Sequence, residues 1–173
     1  MNPSLYIPLG ILALLGYILL FMFPLNKGAP YVPSNSRKIS LLLKILDEKY
    51  GLSKFQKAVD LGSGDGRILV ALAKIGITCY GIEQNKILVK KSISKITKLN
   101  LQNKCKVYNK DFFKFDISEF DLIILWQVPH IMGKIEKKIK DELKPGTVVC
   151  SYYYKIPEIK EKILYEGWYI YQI

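Results

Sequence analysis

Lys57-Ala58-Val59-Asp60-Leu61-Gly62-Ser63-Gly64-Asp65-Gly66-Arg67 is the stretch on which the fold turns: an apolar strand, a glycine-rich turn, and a helix opened by Ile68-Leu69-Val70-Ala71-Leu72-Ala73. Glycines at 62, 64 and 66 let the backbone take positive φ and leave no Cβ in the way, so a ligand can lie directly on the main chain. A nucleotide-type cofactor is the usual occupant of such a strand-turn-helix crevice. The spacing is Gly-x-Gly-x-Gly, with Arg67 where the dinucleotide fingerprint places its third glycine. Asp60 and Asp65 flank the turn, and carboxylates there repel a pyrophosphate. They suit a ligand that carries its own positive charge.

Outward from the turn, strands and helices alternate. Residues 77–82 form a short apolar strand ending at Glu83, about 20 residues past the glycine turn, where a carboxylate is positioned to bind a ribose diol with both oxygens. Asn85 caps a helix from Lys86 to about Leu99, with Ile87, Leu88, Ile93 and Ile96 inward and Lys90, Lys91, Lys95 and Lys98 on a solvated face. Residues 105–109 are a third strand, followed by Asp111 and Phe112; the acid can accept from an adenine amino group while the ring covers the base. Residues 121–125 are a fully buried fourth strand that delivers Trp126-Gln127-Val128-Pro129-His130 to the same sheet edge. A lysine-rich helix over 134–143, a fifth strand over 147–152, and a hairpin of 160–165 with 168–173 complete the chain. The alternation predicts an α/β fold, a doubly wound, mostly parallel sheet with a C-terminal antiparallel hairpin.

Ahead of this lies an uncharged apolar run over residues 5–25. At about 1.5 Å per residue it spans roughly 30 Å, a bilayer's hydrocarbon thickness. No Lys or Arg precedes it, whereas Lys27, Arg37 and Lys38 follow. The reading is a single-pass membrane anchor over 1–26 in contact with the lipid bilayer, with the rest of the chain cytoplasmic by the positive-inside bias. Residues 27–36 are a proline-rich linker or a lid over the cofactor, and 37–173 the catalytic domain, whose first helix runs from Arg37 to Tyr50 behind a Ser36 cap. The formal net charge of +11 favours anionic partners without naming one. Nothing marks an RNA-binding module, and the charge is spread over helices, so nucleic acid is not expected as a partner. Cys79, Cys105 and Cys150 match no zinc spacing, fall in strands, and read as reduced core residues; no metal is expected.

Asp60 to Gly66, Glu83 and Asp111, at the ends of three successive strands, together resemble class I S-adenosylmethionine-dependent methyltransferases. Residues 28–34, Gly-Ala-Pro-Tyr-Val-Pro-Ser, followed by residues 59–68, are more narrowly similar to the small protein-lysine methyltransferases. That group includes the enzyme acting on the c ring protein of ATP synthase and a broad-specificity archaeal enzyme. The resemblance implies a Rossmann-like fold and S-adenosylmethionine as the methyl donor. It implies that Tyr31 and Val32 close over the donor, that Gly62, Ser63 and Gly64 with Asp60 and Asp65 underlie its methionine part, that Glu83 holds the ribose, and that Asp111 with Phe112 meets the adenine. The sequence departs from the archaeal pattern at residues 126–129, the edge that should line the acceptor channel.

The activity expected is methyl transfer to a lysine ε-amine of a membrane-associated or cytoplasmic protein. The donor is already activated, so the work is alignment and exclusion of water, with no assigned catalytic base. Tyr31, Trp126 and Tyr152 are candidate channel walls, and Gln127 a candidate acceptor for the amine hydrogens. His130, the single histidine, reads as a helix-cap or surface residue. A methyltransferase for a small amine, lipid headgroup or RNA stays open at this point, as does a membrane protein that binds the donor without catalysis.

Overall fold

The computed structural model describes residues 10–16 and 35–173. The chain divides into two compact units, Met1–Val32 and Pro33–Ile173. In the first, residues 10–16 are helical, about 10 Å of helix at the usual rise. The remainder of the run over 5–25 lies outside the described residues, as do Tyr31 and Val32. Among the described residues no helix is long and apolar enough to cross a membrane. The expectation of a single-pass membrane protein, with a bilayer as partner and a cytoplasmic catalytic domain, is corrected accordingly: no described helix offers the run of about 20 apolar residues that a hydrocarbon core requires.

The second unit opens with α1 (Ser36–Tyr50), which buries Ile39, Leu42, Ile45 and Leu46 on one stripe. Its cap is Asn35, one residue before the expected Ser36; the Asn35 side chain accepts from the Arg37 amide. β1 (Lys57–Leu61) follows, with four of its five residues buried. Its entry is fixed from a distance, since the Asp121 carboxylate accepts from the Gln56 and Lys57 amides at 2.7 and 3.1 Å. Then come α2 (Arg67–Lys74), β2 (Thr78–Glu83), α3 (Lys86–Lys98), β3 (Cys105–Asn109), β4 (Leu122–Leu125), α4 (Met132–Glu142), β5 (Val148–Tyr152) and the hairpin β6 (Ile163–Tyr165) with β7 (Trp168–Gln172).

The seven strands lie in the order β3-β2-β1-β4-β5-β7-β6. β1 to β5 pair in parallel, and β7 is antiparallel to both β5 and β6. Alternation along each strand sends side chains to two cores. Ala58, Cys79, Leu122, Ile124 and Cys150 face α1 and α2; Val59, Leu61, Ile123, Leu125 and Val149 face α4. Helices on both faces give the doubly wound α/β sheet expected. The strand order changes direction at β1 and β4, where the carboxyl ends of a parallel sheet splay to leave a crevice.

α3 departs from its expected face. It buries Leu88, Val89, Ser92 and Ile96, while Ile87 and Ile93 are 63% and 47% exposed. The cause is the turn beside it. A Cβ on Gly66 would stand 2.1 Å from the Ser92 hydroxyl, so the helix meets the glycine turn through a small residue and rotates about it. Ile87 instead borders a shallow groove of about 720 Å³ with Lys90, Lys91 and Lys95. The three cysteines are free and buried.

Candidate active site

The site is built on the carboxyl ends of β1, β2 and β4. Gly62, Gly64 and Gly66 have φ of +89°, +54° and +77°, a backbone open to glycine and strained for other residues. The turn folds back on β2 through the Gly62 and Ser63 amides, both donating to the Ile82 carbonyl at 2.8 and 3.2 Å. A Cβ on Gly62 would lie 2.3 Å from the Gln127 side-chain nitrogen. That amide donates to the Leu61 carbonyl at 2.6 Å and is buried. Gln127 therefore packs directly on the turn, and its oxygen has no donor among the described residues. Ser63 is also buried, its hydroxyl without a partner among the described residues. It is accommodated by Gly81 of β2, where a Cβ would come within 2.6 Å of the Ser63 oxygen. Sequence reasoning misses Gly81, although a lone glycine inside a strand is the usual signal of such close approach.

Two carboxylates lie beneath this turn. Asp60, 4% exposed, sits on the α1 side of β1 between Gly81 of β2 and Ile124 of β4. Burial, reinforced by the Glu83 charge, pushes its carboxyl up to about 8, and no cation pairs with it among the described residues. Glu83 ends β2 and ties the site together, accepting from the Gly64 amide at 2.9 Å and the Asn85 amide at 2.8 Å. Each oxygen keeps a lone-pair direction for a further donor. An uncompensated buried carboxylate beside a second one, under backbone that only glycine tolerates, fits a cationic ligand bearing hydroxyls. It does not fit a phosphate.

Asp65 has a different duty from the one its sequence position suggests. Its carboxylate meets Lys95 at 2.6 Å and Arg67 at 3.0 Å, clamping the turn to α3. Desolvation raises this carboxyl, and the two cationic hydrogen bonds more than offset it, leaving it below the usual carboxylate range. Asp111 caps the short turn after β3 by accepting from the Phe113 amide at 3.0 Å, which leaves one oxygen for another donor. Phe112 is 8% exposed, its ring 4.5 Å from that of Phe113, so most of its surface is taken up by the core facing α4.

One strand away from the turn is an aromatic cluster. Trp126 leaves β4 opposite Gly62, in continuation of the Leu61–Leu125 register. Its ring meets Tyr152, at the end of β5, edge-on at 4.9 Å, and Tyr152 meets Trp168 of β7 at 4.9 Å. The Lys38 ammonium, from the first turn of α1, lies 4.7 Å from the Trp126 ring centre and 4.6 Å from that of Tyr152. His130 is exposed, in the turn Pro129–Ile131. Among the described residues no cluster of His, Cys, Asp or Glu can hold a metal.

The sequence profile of the ANTKMT methyltransferase domain matches residues 60–163. The lysine N-methyltransferase of Rattus norvegicus that acts on the c-type subunit of ATP synthase is 33% identical over 128 residues, covering 74% of this chain and 57% of the rat protein. A protein-lysine N-methyltransferase of Saccharolobus islandicus is 30% identical, covering 73% of this chain and 78% of its own. A solved RNA methyltransferase of Salinibacter ruber, in complex with S-adenosyl-L-homocysteine, superposes with a TM-score of 0.72 at 28% identity, over 81% of this chain and 91% of that one. The chain spans only 50–59% of the length of the rat enzyme and its vertebrate counterparts.

Proposed function

The chain belongs to the ANTKMT methyltransferase family, and from that premise we propose that it transfers a methyl group from S-adenosylmethionine to a lysine side chain of a protein. The observation that carries the reading is a juxtaposition. An uncompensated Asp60 lies under the glycine turn, and a Trp126–Tyr152 ring pair stands one strand away. The named activities of the rat and Saccharolobus relatives support the lysine acceptor, and the S-adenosyl-L-homocysteine bound in the Salinibacter RNA methyltransferase supports the donor.

On this reading Asp60 answers the ammonium of the donor's methionine part, the open backbone at Gly62 and Gly64 lets that part lie on the main chain, and Glu83 accepts from the ribose hydroxyls. Asp111 offers its second oxygen to the adenine amine. Phe112, Ser63 and Asp65 shape the walls, Asp65 by fixing the turn through Lys95. Residues 37–173 are the catalytic domain on this reading; the lid expected of Tyr31 and Val32 falls outside the described residues. The acceptor amine enters alongside the Trp126–Tyr152 ring pair, with the free Gln127 oxygen available to one of its hydrogens.

A lysine amine, with a solution pKa of about 10.4, has to shed a proton before it can attack. Aromatic walls that exclude water favour the neutral amine, and the sulfonium's charge acts in the same direction. The remaining requirement is an in-line approach of nitrogen to methyl carbon, which fixed strand ends supply.

The test is incubation with methyl-labelled S-adenosylmethionine and a total protein extract, beside Asp60→Ala and Glu83→Ala. Label recovered as methyl-lysine after hydrolysis, and lost in both variants, is the expected result. Label that disappears on RNase treatment, or donor binding without labelled protein, would overturn the lysine assignment.

A further inference from the structure

We propose that Tyr153 selects the substrate: its ring receives an apolar side chain lying two residues from the target lysine. The inference rests on the methyltransferase reading above and gives it a substrate class. Tyr153 is the first residue past β5, at the carboxyl edge of the sheet, and is 63% exposed. Its φ is +71°, a region that bulky residues rarely enter. The other non-glycine residues there, among the described residues, are Asn100, of a type that tolerates it, and Glu166, in the two-residue turn of the β6–β7 hairpin. This conformation changes what faces the core. Cys150 and Tyr152 belong to the core facing α1, so alternation alone would return Tyr154 to that side and send Tyr153 to the α4 side with Val149. Instead Tyr154 packs on the α4 side, and Tyr153 is left in solvent.

The strained backbone is held from several directions. The Tyr153 amide donates to the Gly167 carbonyl at 2.9 Å, and the buried Ser151 hydroxyl donates to the Tyr154 carbonyl at 2.6 Å. A Cβ on Gly167 would stand 3.2 Å from the Tyr152 ring, so the hairpin closes directly over the end of β5. The Trp168 indole, next along, donates to the Lys38 carbonyl at 3.0 Å and ties β7 to α1. A backbone fixed in this way keeps an exposed ring in one place, and strain retained at an exposed position marks function more often than folding. The ring also continues the aromatic row, with Trp126 to Tyr152 at 4.9 Å and Tyr152 to Tyr153 at 6.3 Å. Side chains on one face of an extended peptide repeat about every 7 Å. A substrate strand that presents its lysine at the Trp126–Tyr152 pair therefore brings the side chain two residues away over Tyr153. The chain's charge of +11 opposes a second cation there, and a ring face repels a carboxylate, which leaves an aliphatic or aromatic side chain.

The experiment labels a total protein extract with the full chain and S-adenosylmethionine carrying a deuterated methyl group, then locates the methylated lysines by peptide mass spectrometry. Wild type is compared with Tyr153→Gly and Tyr153→Phe, with donor affinity by calorimetry and thermal melting measured on each. Wild type should methylate lysines that have an apolar residue two positions away at least about tenfold more often than other lysines of the same proteins, a discrimination that one apolar contact can supply. Tyr153→Phe should keep that preference, and Tyr153→Gly should bring it to parity at unchanged donor affinity. Tyr153→Gly should also melt no lower than wild type, because glycine adopts a φ of +71° without strain. A wild type without the preference, or a Tyr153→Gly that retains it, overturns this inference and leaves the lysine assignment standing. A Tyr153→Gly that melts lower than wild type shows a ring that supports the fold, and overturns it as well. Donor binding with no methyl-lysine in any protein removes the lysine reading itself, and this inference with it.

Discussion

Replacing Gly62 by alanine tests the architecture of the turn at its tightest point. Two costs follow from the geometry. The backbone at Gly62 has φ of +89°, and holding a non-glycine residue in such a region costs about 1–3 kcal/mol. The new methyl would stand 2.3 Å from the Gln127 amide nitrogen, so Gln127 has to swing away and give up its 2.6 Å bond to the Leu61 carbonyl. Leaving that buried carbonyl unpaired costs about 1–3 kcal/mol more. Together Gly62→Ala should destabilise the protein by roughly 2–6 kcal/mol and abolish donor binding. The two terms separate in a double-mutant cycle by chemical denaturation. Gln127→Ala alone forfeits the hydrogen bond; adding Gly62→Ala to it then costs only the backbone strain, so the pair should be less damaging than the sum by about 1–3 kcal/mol. Strict additivity, or a single Gly62→Ala cost below about 1 kcal/mol, would refute the claim that the turn and Gln127 are mutually fitted.

Other outcomes follow from the same site. Because the Asp60 carboxyl is raised by burial and by Glu83 from 3.8 to about 8, its contribution to stability is fully present below about 4 and is lost as pH rises through about 8. The unliganded protein should therefore melt lower at pH 9 than at pH 6 by a margin that Asp60→Asn reduces, and an identical slope in the variant contradicts the assignment. Binding of the cationic donor near pH 7 should release a proton from Asp60, visible as a binding heat that varies with the ionisation enthalpy of the buffer and ceases to vary in Asp60→Asn. Glu83→Gln exchanges a charged acceptor of the Gly64 and Asn85 amides for a neutral one, and donor affinity should fall by roughly tenfold to a hundredfold at charge-assisted strengths of about 1.5–3 kcal/mol, read by calorimetry. Asn85→Ala removes the cap on the Ile87 and Leu88 amides and should cost about 1 kcal/mol in denaturant unfolding without changing the Gly64 contact.

The donor half of the site is legible in the sequence because its chemistry is local. Strand, glycine turn and helix occupy one run of chain, and the carboxylate of Glu83 ends the next strand, so spacing alone places Asp60, Gly62, Gly64 and Glu83 on one edge. What the pattern does not resolve is which partner each side chain chooses once neighbours arrive. Asp65 looks like a ligand to a cation and is one, but the cations are Lys95 and Arg67. Gln127 reads as an acceptor for the amine hydrogens, and the pattern gives no sign that its nitrogen is committed to the Leu61 carbonyl. Ile87 and Ile93 obey helical spacing, yet contact between Gly66 and Ser92 sets which face of α3 turns inward. The ring pocket draws on α1, β4, β5 and β7, separated by more than a hundred residues, and no linear motif announces the Lys38 ammonium within it. The apolar run over 5–25 reads as a span because hydropathy counts residues, whereas a span needs one long apolar helix, and no described helix is one.

The grouping of Trp126, Tyr152 and Trp168 has a practical consequence. The chain contains two tryptophans, and both sit against the same tyrosine, one at the ring pocket and the other holding the backbone of Lys38. Intrinsic fluorescence excited at the indole band is thus free of background from elsewhere in the molecule. It reports the Trp126–Tyr152–Trp168 cluster directly. Entry of a lysine or displacement of the Lys38 ammonium alters the surroundings of Trp126, and undocking of β7 those of Trp168. Trp126→Phe and Trp168→Phe would assign the signal, making the unlabelled protein its own sensor of what occupies the pocket.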